Sequence, residues 1–391
     1  MGRVAKPPLC NPWLKFIVPG QVHLLFSVPS APSAVTFFPV SSPNRFPAAG
    51  VGLLFLSGLC GLILQVCWFR EFRFIFGGTT AASAAVLAAF MAGLGLGNAL
   101  LGPRADRSKR PLLLYAILEA AIAVTAALTP FLIEAARGLF LATGGQTALG
   151  GATATAVRLG LSFAVLVIPT FLMGGTLPAA ARAFTRDEDT GRSTTAWLYG
   201  ANTFGAVAGA FLATFFLLEN FGVRQSLWIA CALAAVASLL AVLLARRGAG
   251  RSVGSAAPTE REAPSDSAAP LAPVWLLALA AALSGFVFFA MELVWFRMLA
   301  PILGGTTFTF GLIVAVALAG IGVGAALYAV LFARRRPTLM TLAFTALVGA
   351  VCLAAPLAAG DRLAVLVAFL DAEWVQGFAT GVMVWTLIAA L

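Results

Sequence analysis

LSGLCGLILQVCWFREFRFIFGGTT, residues 56–80, recurs as LSGFVFFAMELVWFRMLAPILGGTT, residues 283–307, at a constant spacing of 227 residues. Extended to 56–100 against 283–327, the two copies share 18 of 45 residues without a gap. The matches include Trp68/Trp295, Phe69/Phe296, Arg70/Arg297, Gly77–Thr80/Gly304–Thr307, and Gly93, Gly95 and Gly97 against Gly320, Gly322 and Gly324. A shared apolar bias alone would produce only a few of these. Each copy runs through an apolar stretch long enough to cross a bilayer, which takes about 20 residues, and then through Gly-Gly-Thr-Thr into a second. The chain therefore reads as two related sets of membrane helices.

Composition agrees. Of 391 residues 61% are apolar and 10% charged, where a soluble domain has about 45–50% and about 25%. With a mean hydropathy of +0.97, there is too little polar surface to cover a soluble particle, and disorder is equally excluded. One histidine (His23) and five scattered cysteines exclude His-rich or CxxC metal sites, and no cofactor motif is present. Four of the cysteines lie in apolar runs and read as buried free thiols. The net charge of +10 comes from arginines clustered between apolar spans, a topology signal that argues against a nucleic-acid partner.

Windows of span length fall near 49–69, 80–102, 111–133, 157–182, 196–218, 226–245, 274–296, 307–330 and 337–358, with a tenth starting near 374. Alternate loops are unequal in charge. One side carries 18 of the 25 Lys and Arg residues, in the N-terminal segment, around 104–110, 182–192, 246–261 and 334–336. The other keeps Arg70, Arg73, Arg137, Arg158, Arg224, Arg297 and Arg362. The first side is expected to be cytoplasmic, with the N-terminus inside. Residues 1–48 hold nine of the 21 prolines and no acid, and read as a disordered or mis-started segment. Residues 246–272 are rich in Pro, Ser and Gly and read as a flexible cytoplasmic linker. It joins a first six-helix bundle (49–245) to a second bundle (273–391).

Two parallel bundles joined by such a linker resemble the plan of major facilitator transporters. GPRADRSKRP, residues 102–111, is similar to the loop motif of that family at Gly102, Asp106, Arg107 and Arg110, with Lys109 where a second Gly is expected. The first copy continues into PTFLMGGTLP (169–178) and two further spans, whereas the same offset carries the second copy of that motif beyond residue 391. The second bundle is accordingly expected to be incomplete, with about four spans, and the chain a fragment or truncated gene product.

QVCWFR and ELVWFR with their downstream GGTT, PTFLMGGTLP, and LYGANTFGAVAGA from Leu198 together resemble the membrane region of the bacterial fused spermidine synthase-like proteins. That resemblance spans about 50–391 and implies a bacterial inner-membrane protein. It also implies a soluble aminopropyltransferase-like domain that this sequence lacks, so this chain is not expected to catalyse that reaction. The only GxGxG runs, Gly93–Gly97 and Gly320–Gly324, lie within apolar stretches with no strand before them, and read as helix packing rather than nucleotide binding.

Polar residues inside the spans are the candidates for function. Glu292 and its counterpart Gln65 lie one turn before the shared Trp, and Glu119 lies about eight residues into the third span. Under the resemblance they would handle a polyamine or related small cation, or a coupling proton; the alternative is a carboxyl that holds helices together. Asn202 and Tyr199 sit beside Gly205 and Gly209, where interhelical bonding competes with substrate contact. Arg70 and Arg297, with Trp68 and Trp295, read as interfacial anchors or gate residues. Pro169, Gly174, Gly175 and Pro178 are expected to break the fourth span and free carbonyls there. The functions in view are a polyamine transporter domain, a non-transporting anchor or sensor for an aminopropyltransferase, and an exporter of another small molecule.

Overall fold

The computed structural model describes residues 45–77, 80–185, 192–249, 273–303, 307–332 and 338–359, with positions 362 and 365. In lipid every backbone polar group must be bonded within the chain, so apolar runs of this length become helices. Nine are present among the described residues: α1 (Arg45–Phe76), α2 (Thr80–Asp106), α3 (Pro111–Ala142), α4 (Gly145–Phe184), α5 (Arg192–Leu212), α6 (Gly222–Ala249), α7 (Val274–Leu303), α8 (Thr307–Phe332) and α9 (Leu339–Ala359). A π-helical turn, Ala213–Leu217, and a short piece, Leu218–Asn220, prolong α5. Eight helices are long and apolar enough to cross a membrane, and α9 adds a shorter apolar stretch, Leu339–Ala355. The protein is an all-α, multi-pass membrane protein. Residues 1–44, 250–272 and the tenth expected span lie outside the described residues.

Several helices outrun the spans read from hydropathy. At 32 residues α1 and α3 are each about 48 Å long, and the unbroken part of α4 after Gly150, residues 151–184, is about 51 Å. The hydrocarbon core is about 30 Å thick, so tilt or overhang must take up the rest. Arg70, Arg73, Arg137, Arg224 and Arg297, which fall between the windows above, therefore lie inside helices. Arg158, at the edge of the fourth window, is buried in α4: it is 3% exposed, with its guanidinium 5.4 Å from the centre of the Phe140 ring.

The expected break in α4 is also elsewhere. Dihedrals stay helical through Pro169, Gly174, Gly175 and Pro178, and the one non-helical residue in the helix is Gly150, at φ 71° and ψ 170°. The glycines of the motif serve a close approach instead. A Cβ at Gly174 would strike the Leu94 carbonyl and Asn98 nitrogen of α2, and one at Gly175 would meet Leu101 of α2 and Leu118 of α3. With neighbours so near on both sides, the segment has no room to unwind.

That contact is reciprocal. A Cβ on Gly93 would collide with the Thr170 side chain, and one on Gly97 with the Phe171 carbonyl. The GxGxG run of α2 is thus a seat for α4. In the same way Gly58 of α1 admits the Asn202 carbonyl of α5, while Gly205 and Gly209 of α5 admit the Phe55 and Leu59 carbonyls. Small residues let membrane helices meet backbone to backbone, where dispersion rather than the hydrophobic effect holds them. Helix α8 joins this group through Gly311, whose missing side chain makes room for Thr214 on the π turn.

The two copies of the repeat are used differently. Gly285, the counterpart of Gly58, and Gly320 and Gly324, the counterparts of Gly93 and Gly97, have nothing within 4 Å among the described residues. Gly322 instead lies 3.7–3.9 Å from Thr203 and Phe204 of α5. The main core, around Trp68, Phe72, Phe76, Phe90 and Leu166, belongs to the first six helices. Helix α7 meets it through Phe296 and Leu299, which pack with Phe69, Ala210 and Phe310.

Candidate functional site

Two buried polar places emerge. The first centres on Glu119, on α3 and 1% exposed. The Ser57 hydroxyl of α1 donates to its Oε1 at 2.5 Å. Tyr115, one turn earlier on α3, donates to the Leu53 carbonyl at 3.1 Å. The same stretch of α3 is tied to α6, where the Ser238 hydroxyl donates to the Ala116 carbonyl at 2.7 Å. Glu119 thus sits in a polar knot between α1, α3 and α6, with its carboxyl already engaged. Ser57 and Tyr115 went unread in the sequence; the signal was there in Tyr115, four residues before Glu119 and so on its face.

The second place is the junction of the two repeats. Gln65, Phe69 and Arg73 follow one another every fourth residue along α1, and Glu292 and Phe296 do so along α7, so each set shares one helix face. The counterpart of Arg73 on α7 is Ala300, so the cation exists on one side only. Phe69 stacks on Phe310 of α8 at 3.5 Å and 10°, and meets Phe296 edge-on at 6.2 Å and 90°. The Arg73 guanidinium lies 5.5 Å from the centre of the Phe69 ring and 5.0 Å from that of Phe296. A turn deeper, Glu292 is 4% exposed and its Oε1 has no hydrogen-bond partner among the described residues. Gln65, 7% exposed, lines a cleft with Trp68, Phe69, Val86, Phe90 and Phe310 that has room for about one water molecule.

The shared Trp pair is asymmetric as well. Trp68 is fully buried, and its indole N–H donates to the Thr129 hydroxyl at 2.8 Å; Trp295 is only partly buried, on the Phe69–Phe310 cluster. Trp68→Phe is expected to destabilise the protein by about 2 kcal/mol through the lost volume and the lost bond, and Trp295→Phe by less than about 1 kcal/mol. Unfolding of the purified protein in mixed micelles measures both; equal effects would contradict the asymmetry.

Other candidates lie apart from these places. Tyr199 is exposed and Asn202 half-buried, and Asn202 meets α1 through its backbone carbonyl at Gly58. Gly102 and Asp106 belong to the last turns of α2, and Asp106, Arg107 and Arg110 are exposed around the turn into α3. Arg70 is half-buried, with its guanidinium 5.7 Å from the centre of the Phe74 ring, and Arg297 is exposed. Arg224 lies over Phe131 and Trp228 at 5.3 and 5.4 Å.

A scan of the chain against protein-family models and a search of curated proteins found no match.

Proposed function

We propose that the chain is the membrane portion of a spermidine synthase-like protein of the bacterial inner membrane, built on the major facilitator plan with its N-terminus in the cytoplasm, and that it moves or delivers a polyamine or a related small organic cation. The observation that carries this reading is Glu292. A carboxyl inside a membrane helix is expensive and faces a cavity, a partner or an ion path. This one is buried with Oε1 unpartnered, at the junction of the two repeats and one turn from the ring layer. An acid supplies the counter-charge an ammonium needs, and Gln65 in the other copy supplies a neutral acceptor. Glu119, held by Ser57, takes the lesser part.

The test is uptake of labelled spermidine into vesicles carrying the protein. Glu292→Gln is expected to lower the rate at least about tenfold, as loss of a catalytically or electrostatically required charge does, with the amount of folded protein unchanged. Unchanged uptake in that variant sinks the proposal.

One observation favours a second reading. The cleft beside Gln65 holds about one water, far less than a polyamine needs, which suits a bundle that anchors a soluble aminopropyltransferase instead of transporting. That reading expects no uptake in any variant, and full synthase activity from the soluble domain when it is detached.

A further inference from the structure

Arg73 makes a contact that the sequence did not announce and that the proposed function does not use. Its guanidinium is half-buried and faces two aromatic rings, Phe69 on its own helix and Phe296 on α7, at centroid distances within the range of a cation–π contact. Those rings are 1% and 7% exposed, and Phe310, 1% exposed, backs both of them. Phe296 meets Phe310 at 6.1 Å and 83°, and Phe69 meets Phe296 at 90°, so the three rings are fixed nearly at right angles or in a stack. Aromatic faces held this way and shielded from water form a surface for an organic cation, whichever molecule supplies it. The repeat points the same way: both copies keep the Phe, but only α1 carries the Arg, with Ala300 opposite.

We infer that Phe69 and Phe296, backed by Phe310, form an organic-cation site at the junction of the repeats, and that Arg73 is its resident occupant. The ligand class is a small guanidinium or primary alkylammonium group, which would take the place of the Arg73 head group. The ring layer lies between Arg73 and the Gln65 and Glu292 positions one turn further along α1 and α7. This does not rest on the polyamine reading, because it requires only the rings and the arginine.

Chemical rescue tests it. The purified Arg73→Ala protein is expected to unfold several degrees below the unsubstituted chain. Millimolar methylguanidinium should restore the midpoint saturably, while urea, its neutral analogue in shape, should not. The unsubstituted chain should show no such response, since Arg73 already fills the site, and the double variant Arg73→Ala/Phe296→Ala should lose it. If Arg73→Ala yields no folded protein, it is expressed and extracted in millimolar methylguanidinium, and recovery of folded protein there but not in urea becomes the readout. The inference is overturned by a midpoint that ignores methylguanidinium, by an equal response to urea, by an equal response of the unsubstituted chain, or by rescue that survives removal of Phe296. Rescue should persist in a Glu292→Gln background, so failure here and failure of the transport reading are separate results.

Discussion

Gly97→Leu is expected to abolish accumulation of the folded protein, while Gly95→Leu, two residues away on the same helix, leaves it unchanged. Gly97 is buried, and a Cβ there would run into the Phe171 carbonyl of α4. Backbone cannot rotate away as a side chain can, so α2 and α4 would have to separate along their shared length. Ordinary overpacking costs about 1–3 kcal/mol; loss of a backbone-to-backbone seat belongs with the exceptional cases above about 4 kcal/mol. Much of the remaining packing depends on that seat, since Gly174 enters it from the other side, against Leu94 and Asn98. Gly95 is exposed with nothing within 4 Å, so a leucine there meets only lipid and slightly favours the helix. The folded fraction of each variant, read as the monodisperse peak after detergent extraction, decides it. Equal yields from the two variants would show that the α2–α4 approach is not as close as drawn.

Those glycines also show what a sequence can and cannot disclose in a membrane. Eight of the spans read from hydropathy are helices long and apolar enough to cross a membrane, legible because the bilayer demands long apolar helices whatever their neighbours. That Gly93–Gly97 serves packing was legible too, from its place in an apolar stretch; its repetition was no guide, since Gly320 and Gly324 have nothing within 4 Å among the described residues. The partner of that run was not legible. Nothing in PTFLMGGTLP says that Gly174 is needed for space rather than for a break, because small residues and prolines accompany both. The actual break, Gly150, sits in a Gly-rich stretch, ALGGATA, that hydropathy had placed before the fourth span.

Helix length was less legible than span length. The first hydropathy window ends at residue 69, whereas α1 continues through Arg70 and Arg73 to Phe76. Counting turns from Gln65 would have kept Arg73 on the face of Phe69. What no count could supply is Phe296 as its second ring, since that contact joins residues more than 200 positions apart. Within the candidate site, the repeat disclosed that Gln65 and Glu292 correspond. Only the packing of α1, α7 and α8 around Phe69 and Phe310 brings the two copies together.

Glu119→Ala is expected to destabilise the protein by about 3–4 kcal/mol, and Glu119→Gln by about 1 kcal/mol, summing the cavity and the groups left unbonded. The alanine removes the acceptor of the Ser57 hydroxyl, in a place that is 1% exposed. The glutamine keeps an oxygen where Oε1 stands, so Ser57 still donates and α1 stays tied to α3. Unfolding in mixed micelles measures both values. Function then separates two roles that stability alone would confuse. On the proposed transport reading, if Glu119 holds helices, Glu119→Gln keeps spermidine uptake near the unsubstituted rate while Glu292→Gln loses it. If Glu119 binds the cation or carries a proton, Glu119→Gln loses uptake with its fold intact, because an amide cannot change charge. The geometry favours the first outcome: a carboxyl bound by a hydroxyl from the neighbouring helix at 2.5 Å is committed to that helix, whereas the unpartnered oxygen of Glu292 is not.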